Sequence, residues 1–129
     1  MATLGARIAS LSPGRCLLEV DADSRLTQQH GFMHAGVTIA LADSAGGYAG
    51  YTLFAASTEV LTAELKVNLL APAVGARIRA EGVVLRYGRR LTVCEVKVYA
   101  IDGERERLCA AMLQTLASVP SPEGTGLDA

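Results

Sequence analysis

The chain has 129 residues, half of them apolar, which is enough for one domain with a single hydrophobic core. Twelve basic residues stand against thirteen acidic ones, so the net charge is −1. This balance, without a basic stripe or a polybasic segment, argues against binding to nucleic acid or to a charged membrane surface. High apolar content with almost no net charge instead indicates surface that is buried between subunits.

Two features predict a cytoplasmic location. Residues 1–7 lack the pattern of a secretory signal peptide. Cys16, Cys94 and Cys109 are odd in number, far apart and set within apolar runs, without the spacing of metal ligands. Such cysteines are typical of buried thiols in a reducing compartment.

The first part of the chain predicts two strands and one helix. Residues 7–20 alternate as a strand pair around a Ser-Pro-Gly turn, and residues 21–34 form a polar connection. Residues 35–54 are rich in alanine and free of proline, which predicts a long helix.

This helix candidate is apolar enough to be tested as a membrane span. Residues 35–56 are almost uncharged, and Gly46 and Gly50 have the spacing of a helix-dimer motif. However, Asp43 lies near the middle and no Lys or Arg flanks either end. The sequence therefore predicts a buried helix of a soluble protein, with no membrane partner.

Four strand-like segments follow the helix, at residues 58–70, 76–87, 91–101 and 107–119. In the first of them apolar and polar side chains alternate strictly. Its predicted apolar face carries Leu61, Ala63, Leu65, Val67 and Leu69. Gly82 interrupts the alternation of the second segment, which predicts a β-bulge. The last segment is apolar on both faces, as expected of a central or interface strand.

The order of these elements predicts an α+β domain over residues 1–119. A hairpin signal at Asp102 and Gly103, with short turns elsewhere, makes the strands antiparallel neighbours. About five strands and one helix imply a sheet that wraps around the helix, which explains why the helix is apolar nearly all round. Residues 120–129 are polar and rich in proline and glycine, and we expect them to be disordered.

Asp43 is the one carboxylate within the apolar helix, where a charge is costly unless it is paired or used. Gly46, Gly47 and Gly50 project near it, and they weaken the helix relative to alanine. Two interpretations remain open: a ligand or another backbone approaches Asp43 closely, or the small residues let the sheet pack tightly. The residues on the opposite side of the helix, expected to pack on the sheet, are Leu41, Ala45, Tyr48 and Thr52.

The loop before the helix supplies groups suited to acyl transfer. Ala35 and Gly36 begin the helix, so their backbone N–H groups have no intrahelical partner and carry the positive end of the helix dipole. Such amides can hold a developing oxyanion. Gln28 or Gln29 adds an amide side chain, and together with Asp43 these groups make up a minimal acyl-transfer site.

These residues resemble the hotdog-fold acyl-CoA thioesterases, specifically the phenylacetate-degradation (PaaI-like) branch. That branch has an Asn-x-x-Gly-x-x-His-Gly-Gly motif and an acidic residue seven positions after the last glycine. The motif reads here Gln28-x-x-Gly31-x-x-His34-Ala35-Gly36, followed by Asp43. Gln28 stands in place of the asparagine and Ala35 in place of the first glycine. Residues 62–73 and 88–91 are similar to the second strand of the family and to its next hairpin.

The resemblance implies a hotdog fold of five to six strands and hydrolysis of an acyl-CoA thioester to a free acid and coenzyme A. It also implies a homodimer joined edge to edge, often doubled to a tetramer. The active sites would lie at the subunit interface, with coenzyme A bound partly by the partner chain. No other cofactor is implied, since coenzyme A is part of the substrate.

The resemblance also implies a role for each matching residue. Asp43 is the catalytic nucleophile or the general base, and Gln28 positions the thioester or the water. The amide of Ala35 or Gly36 polarises the thioester carbonyl. The residues expected to contact the substrate are His34, Gly31, Phe32, Gly47, Arg89 and Arg90. The two arginines would bind the phosphates of coenzyme A.

Other interpretations of these residues remain open. His34 paired with Asp43 suggests a hydroxyacyl-thioester dehydratase, and a non-catalytic acyl-CoA-binding protein is a third class. His34 is also consistent with a structural hydrogen bond at the helix start, and Arg89 and Arg90 with ordinary turn charges. We expect no metal, because two histidines without a cluster of cysteines or carboxylates do not complete a coordination sphere. An aromatic or a medium-chain acyl group would equally suit a pocket lined by Phe32, Met33, Tyr48, Tyr51 and Phe54.

Overall fold

In the computed structural model, which describes residues 1–28 and 31–121, one α-helix packs on a six-stranded antiparallel sheet. The elements in chain order are β1 (Arg7–Ser12), β2 (Arg15–Asp21), α1 (Ala35–Tyr51), β3 (Thr58–Leu69), β4 (Arg77–Arg86), β5 (Leu91–Asp102) and β6 (Arg105–Pro120). Short 3-10 helices cover Ala2–Leu4 and Ser24–Leu26. The strand order across the sheet is β1-β2-β4-β5-β6-β3. The predicted α+β architecture of one helix and five to six antiparallel strands is therefore confirmed.

The core lies between α1 and the face of the sheet that it covers. The alternation predicted for β5 is confirmed, since Cys94, Val96 and Val98 are fully buried while Glu95 and Lys97 are exposed. The buried side of α1 consists of Val37, Thr38, Leu41, Ala42, Ala45, Gly46, Ala49 and Gly50. The three cysteines are free thiols and are buried, as the sequence predicts.

The C-terminus of α1 comes three residues earlier than predicted, and Thr52 closes it. The Thr52 hydroxyl donates to the Ala49 carbonyl at 2.6 Å and accepts the Gly14 N–H at 2.8 Å, which fastens the helix end to the β1–β2 turn. Tyr48, predicted to pack on the sheet, is 44% exposed instead. That expectation is wrong because the sheet covers the side of α1 that contains Ala45 and Ala49, and Tyr48 projects beside it.

The strict alternation predicted for β3 is wrong, because a bulge divides the strand. The pairing with β6 passes from Thr62 opposite Leu116 to Glu64 opposite Thr115, which leaves Ala63 as the extra residue. One extra residue exchanges the two faces of a strand. Leu61 is therefore 59% exposed while Leu65 packs against the core. The same exchange turns the Thr62 hydroxyl toward α1.

The bulge predicted at Gly82 is also wrong. Gly82 pairs regularly with Cys16 of β2 and Val96 of β5, and the irregularity in β4 lies between Val84 and Arg86. Gly82 interrupts the alternation for another reason: the backbone of α1 lies directly over it, in the space that a side chain would need.

The glycines of α1 divide between the two interpretations that the sequence left open. A Cβ on Gly46 would overlap Gln114 Oε1, and a Cβ on Gly50 would overlap Leu116 Cδ1, so both allow close packing on β6. A Cβ on Gly47 would meet no atom within 4 Å. Gly47 therefore leaves open space beside Asp43, whereas Gly46 and Gly50 do not.

The two edges of the sheet are β1 and β3, while β6 is central, as predicted. Along β3 the side opposite β6 carries no strand from the described part of the chain. Leu61, Leu91 and Leu113 are at least half exposed on the side of the sheet away from α1. Among the described helices, none combines the length and the apolarity needed to cross a bilayer. Pro120 ends β6 rather than beginning a tail, and the disorder predicted beyond Ser121 falls on residues outside the described range.

Candidate active site

The loop that leads into α1 is held in place by backbone hydrogen bonds. The Gln28 N–H donates to Phe32 O at 2.7 Å, and the Gly31 N–H donates to Gln28 O at 2.9 Å. Gly31 has a φ of 82°, which suits glycine in this tight turn. The Met33 N–H donates to Ala73 O at 3.0 Å, which ties the loop to the segment after β3. Gln29 and His30 lie outside the described residues.

A pocket of about 390 Å³ opens beside the start of α1, and we call it the helix-start pocket. It is lined by Gln28, Phe32, Met33, Ala35, Thr38, Leu69, Leu70, Ala71, Pro72, Ala73 and Cys109. The backbone N–H groups of Ala35 and Gly36 have no acceptor among the described residues, and both residues are exposed. The start of α1 therefore offers amide donors that the described residues leave without an acceptor, and Ala35, which carries one of them, lines the pocket.

Asp43 is half-buried two turns further along α1, and its two carboxylate oxygens differ. Oδ1 accepts hydrogen bonds from Thr62 Oγ1 and from Gln114 Nε2, both at 2.6 Å. Oδ2 accepts none from the residues that the structure describes. One oxygen is thus anchored to the sheet and the other remains available for chemistry.

The carboxylate of Asp43 lines a second pocket of about 380 Å³, which we call the Asp43 pocket. The other lining residues are Ser44, Gly47, Tyr48, Tyr51, Glu59, Val60, Thr62 and Leu116. Tyr48 and Tyr51 are 44% and 42% exposed, so they present aromatic surface at the mouth of the pocket. Such a lining suits an apolar or aromatic group next to a reactive carboxylate.

Within one chain the predicted site residues form two groups. Gln28, Phe32 and Ala35 meet in the helix-start pocket, whereas Asp43 and Gly47 meet in the Asp43 pocket. Asp43 follows Ala35 by eight positions of α-helix, which is about 12 Å along the helix axis. A single thioester carbonyl cannot contact both groups of one chain.

Three other predicted site residues, His34, Arg89 and Arg90, are exposed. His34 is the N-cap of α1 and is exposed; its backbone N–H donates to Leu26 O at 2.9 Å, and its side chain makes no capping hydrogen bond. Arg89 and Arg90 are exposed in the β4–β5 turn. Arg89 lines a pocket of about 440 Å³ that also contains Phe54 and Tyr87. Neither arginine forms an ion pair with a carboxylate of the described residues.

Two residues that hold Asp43 were not identified from the sequence. Strict alternation along β3 puts Thr62 on the face opposite Leu61 and Ala63, away from the core, and nothing local in the sequence marks the bulge at Ala63 that turns Thr62 toward α1. Gln114 stands within an otherwise apolar stretch of β6, and a polar residue on the inward face of a central strand was a signal that could have identified it.

Comparison with known proteins decides the family. Residues 30–107, well over half of the chain, match the Thioesterase superfamily. The chain belongs to the thioesterase superfamily. A thioesterase family protein from Silicibacter pomeroyi is 47% identical, with a TM-score of 0.91 over 94% of this chain and 89% of that chain.

Two further relatives are more distant. The 1,4-dihydroxy-2-naphthoyl-CoA hydrolase of Escherichia coli (strain K12) is 32% identical over 74% of this chain and 68% of its own length. A mutant structure of the phenylacetic acid degradation protein PaaI from Thermus thermophilus is 26% identical, with a TM-score of 0.78 over 91% of this chain and 96% of that chain. The chain is thus a PaaI-like thioester hydrolase with a hotdog fold, as the motif predicts.

Proposed function

We propose that the protein is an acyl-CoA thioesterase that hydrolyses an aryl- or medium-chain acyl-CoA to the free acid and coenzyme A. The observation that carries the proposal is the asymmetry of the Asp43 carboxylate, which lines an aromatic pocket: Oδ1 is anchored, and Oδ2 has no hydrogen-bond donor among the described residues. The name of the E. coli relative specifies hydrolysis of an aromatic acyl-CoA, which supports this substrate class.

The active site is proposed to combine two subunits. The Asp43 pocket lies at the start of β3, where it is lined by Glu59, Val60 and Thr62, and the helix-start pocket lies at the end of β3, near Leu69. Antiparallel pairing of two β3 edges around a two-fold axis would set the start of one strand beside the end of the other. Each Asp43 pocket would then adjoin the helix-start pocket of the partner subunit, and the dimer would hold two complete sites.

A dimer of this kind also accounts for the exposed surfaces. Strand β3 is twelve residues long and pairs on one side only among the described strands, and an uncovered edge of that length invites pairing with another chain. The exposed leucines on the outer side of the sheet, Leu61, Leu91 and Leu113, would support a second interface in a dimer of dimers. The proposed assembly is therefore a homodimer or a homotetramer.

In the proposed reaction the thioester carbonyl carbon lies next to Asp43 Oδ2. Either Oδ2 adds to this carbon, or Oδ2 removes a proton from a water molecule that adds to it. The carbonyl oxygen becomes negatively charged and accepts hydrogen bonds from Ala35 or Gly36 of the partner subunit. The C–S bond then breaks, coenzyme A leaves as a thiolate and takes up a proton. If Asp43 is the nucleophile, water next hydrolyses the acyl-aspartyl anhydride to the free acid.

The substrate would be bound at both of its ends. Gln28 lines the helix-start pocket, from which its amide would orient the thioester carbonyl or the water. Tyr48 and Tyr51 would contact an aromatic or medium-chain acyl group. Arg89 and Arg90 are exposed cations, and we propose that they bind the phosphates of coenzyme A.

The geometry gives less support to the dehydratase interpretation, in which His34 and Asp43 would form a catalytic pair. His34 precedes Asp43 by nine residues, roughly 13 Å along the axis of α1, and its side chain lines neither pocket. The Silicibacter pomeroyi relative is a thioesterase family protein and the E. coli relative is a CoA hydrolase, which also favours hydrolysis.

The proposal is tested by measuring coenzyme A release from a panel of aromatic and aliphatic acyl-CoA thioesters. We expect Asp43→Asn to lower the rate at least ~100-fold, because a nucleophile or general base is lost. Asn retains an oxygen that can accept from Thr62 and Gln114, so the melting temperature serves as the control for folding. Intact thioester after incubation with the wild-type protein, or normal turnover by folded Asp43→Asn, would contradict the proposal.

A further inference from the structure

Gln114 is a fully buried amide in an otherwise apolar row of β6. The side chains that this strand directs toward α1 are Ala110, Met112, Gln114 and Leu116, all at most 3% exposed. Gln114 Oε1 has no hydrogen-bond donor in the described part of the chain. A buried amide that is only half satisfied lowers stability, and an apolar side chain of the same size would fill the space without this cost. Packing alone therefore does not explain a glutamine at this position.

The hydrogen bonds of Asp43 determine which way the amide points. Gln114 Nε2 lies 3.0 Å from the Asp43 carbonyl oxygen and 2.6 Å from Asp43 Oδ1. Both of these oxygens only accept, so the NH₂ group of the amide must face them. Oε1 then necessarily faces the other way, toward Gly46, where the described residues supply no donor. The unsatisfied oxygen follows from holding the carboxylate.

We propose that Gln114 is a positioning residue that, together with Thr62, orients Asp43 for catalysis. The inference rests on the proposed catalytic role of Asp43. Because Gln114 holds both the backbone and the carboxylate of Asp43, it fixes the carboxylate relative to β6, and Thr62 fixes it relative to β3. Both side chains bind Oδ1, so Oδ2 alone is directed to the substrate. A reactive group held in one geometry needs no reorientation during the reaction.

Gly46 allows a second, independent test of the position of the Gln114 side chain. A Cβ at Gly46 would overlap Gln114 Oε1, so the methyl group of Gly46→Ala must displace the amide. This substitution removes no polar group and does not alter Asp43 or Gln114 itself. A loss of activity in Gly46→Ala would therefore report on the position of the Gln114 side chain.

The test compares steady-state hydrolysis of one acyl-CoA substrate by wild-type protein, Gln114→Met, Thr62→Val and Gly46→Ala. Methionine keeps the length of Gln114 and removes the amide, and valine keeps the shape of Thr62 and removes the hydroxyl. We expect kcat to fall about 10- to 100-fold in Gln114→Met, with KM within about twofold, because misplacing a reactive group affects the chemical step. Thr62→Val and Gly46→Ala should show smaller losses of the same kind.

Val20→Ala is the control for general destabilisation. Val20 is fully buried in β2 and makes no contact with either pocket, so its truncation should lower the melting temperature and leave kcat unchanged. An equal loss of kcat in Val20→Ala and Gln114→Met would overturn the proposal, because the effect would then follow stability. If Gln114→Met fails to fold, Thr62→Val and Gly46→Ala decide the question with the same readout.

Combining the substitutions separates this inference from the proposed function. If Gln114 acts through Asp43, adding Gln114→Met to Asp43→Asn should change the residual rate less than about twofold. A normal kcat in Gln114→Met beside an impaired Asp43→Asn would reject the role of Gln114 and leave that of Asp43 standing. Normal turnover by Asp43→Asn would reject both.

Discussion

Gly82 of β4 lies against the backbone of Ala45 in α1, so that a Cβ at Gly82 would stand 2.6 Å from the Ala45 carbonyl oxygen. Side-chain carbons do not approach backbone oxygens this closely, so any other residue would move the helix away from the sheet. Ala45 follows Asp43 by two residues. The contact with Gly82 therefore also sets the distance of the Asp43 carboxylate from Thr62 and Gln114.

This contact predicts that Gly82→Ala destabilises the protein by about 1–3 kcal/mol, the range found for overpacked cores. Gly47→Ala is the matched glycine substitution: a Cβ there meets open space, and helix propensity should raise stability by up to about 1 kcal/mol. Chemical denaturation of both variants measures the difference. Equal stabilities would show that the helix adjusts to the added methyl group on β4.

A second prediction concerns the oxyanion donor, and proline is a suitable probe. Ala35 is the first residue of α1, a position where proline is favoured, and His34 has φ −58° and ψ 139°, which suits the residue before a proline. Ala35→Pro removes the N–H with little disturbance of the helix. If this amide stabilises the oxyanion, kcat should fall on the order of 100-fold or more.

Ala35→Gly is the companion to this variant, because it changes the side chain and keeps the N–H. We expect its kcat to stay within a few-fold of the wild-type value. Should Ala35→Pro retain full kcat, the Gly36 amide would be the donor instead. Circular dichroism and the melting temperature establish that α1 is intact in both variants.

A third prediction follows from a site shared between subunits. Asp43→Asn and Ala35→Pro should each be nearly inactive, yet a mixture that exchanges subunits should regain about a quarter of the wild-type activity, since half of the dimers are mixed and each holds one intact site. Mixing Asp43→Asn with Asp43→Ala should regain nothing. Sedimentation of the wild-type protein should show a dimer or a tetramer, and an active monomer at micromolar concentration would refute the shared site.

The fourth prediction tests Arg89 and Arg90 as phosphate ligands. Replacing both with alanine should raise KM for acyl-CoA and leave kcat nearly unchanged, because these contacts are equal in the ground and transition states. A short thioester without the nucleotide should react at the wild-type rate. Added salt should weaken substrate binding more in the wild-type protein than in the double variant. An unchanged KM would mean that the two arginines only solvate the turn.

Sequence patterns were sufficient for the elements and the family but not for the details of packing. Alternation over several residues fixes which side of a strand is buried, so β5 was predicted correctly. The bulge at Ala63 depends on how β3 pairs with β6, and nothing local in the sequence marks it. The reason for Gly82 is likewise a contact between distant elements, which a local pattern cannot distinguish from a bulge.

One part of the candidate site can likewise be predicted from the sequence, and another part cannot. Asp43 can be identified from the sequence alone, because a carboxylate within an apolar helix is costly unless it is paired or used. This argument requires only the sequence of the helix itself. Gln114 is 71 residues away in sequence, and its link to Asp43 depends on which strand lies under the helix. The distance between the two groups of site residues follows from the length of α1, whereas in the proposed dimer the way in which they meet would depend on a second chain.

The burial of the three cysteines has a practical consequence for enzymology. Desolvation raises the pKa of Cys16 and Cys94 to about 11 and raises the pKa of Cys109. All three thiols are at most 2% exposed, and the thiolate is the form that attacks disulfide reagents. A chromogenic disulfide reagent at neutral pH should therefore react slowly with the folded enzyme and promptly with the coenzyme A that the proposed reaction releases. In unfolded protein the same reagent would react with three further thiols per chain. The amount of these thiols would therefore measure the fraction of the enzyme that has unfolded.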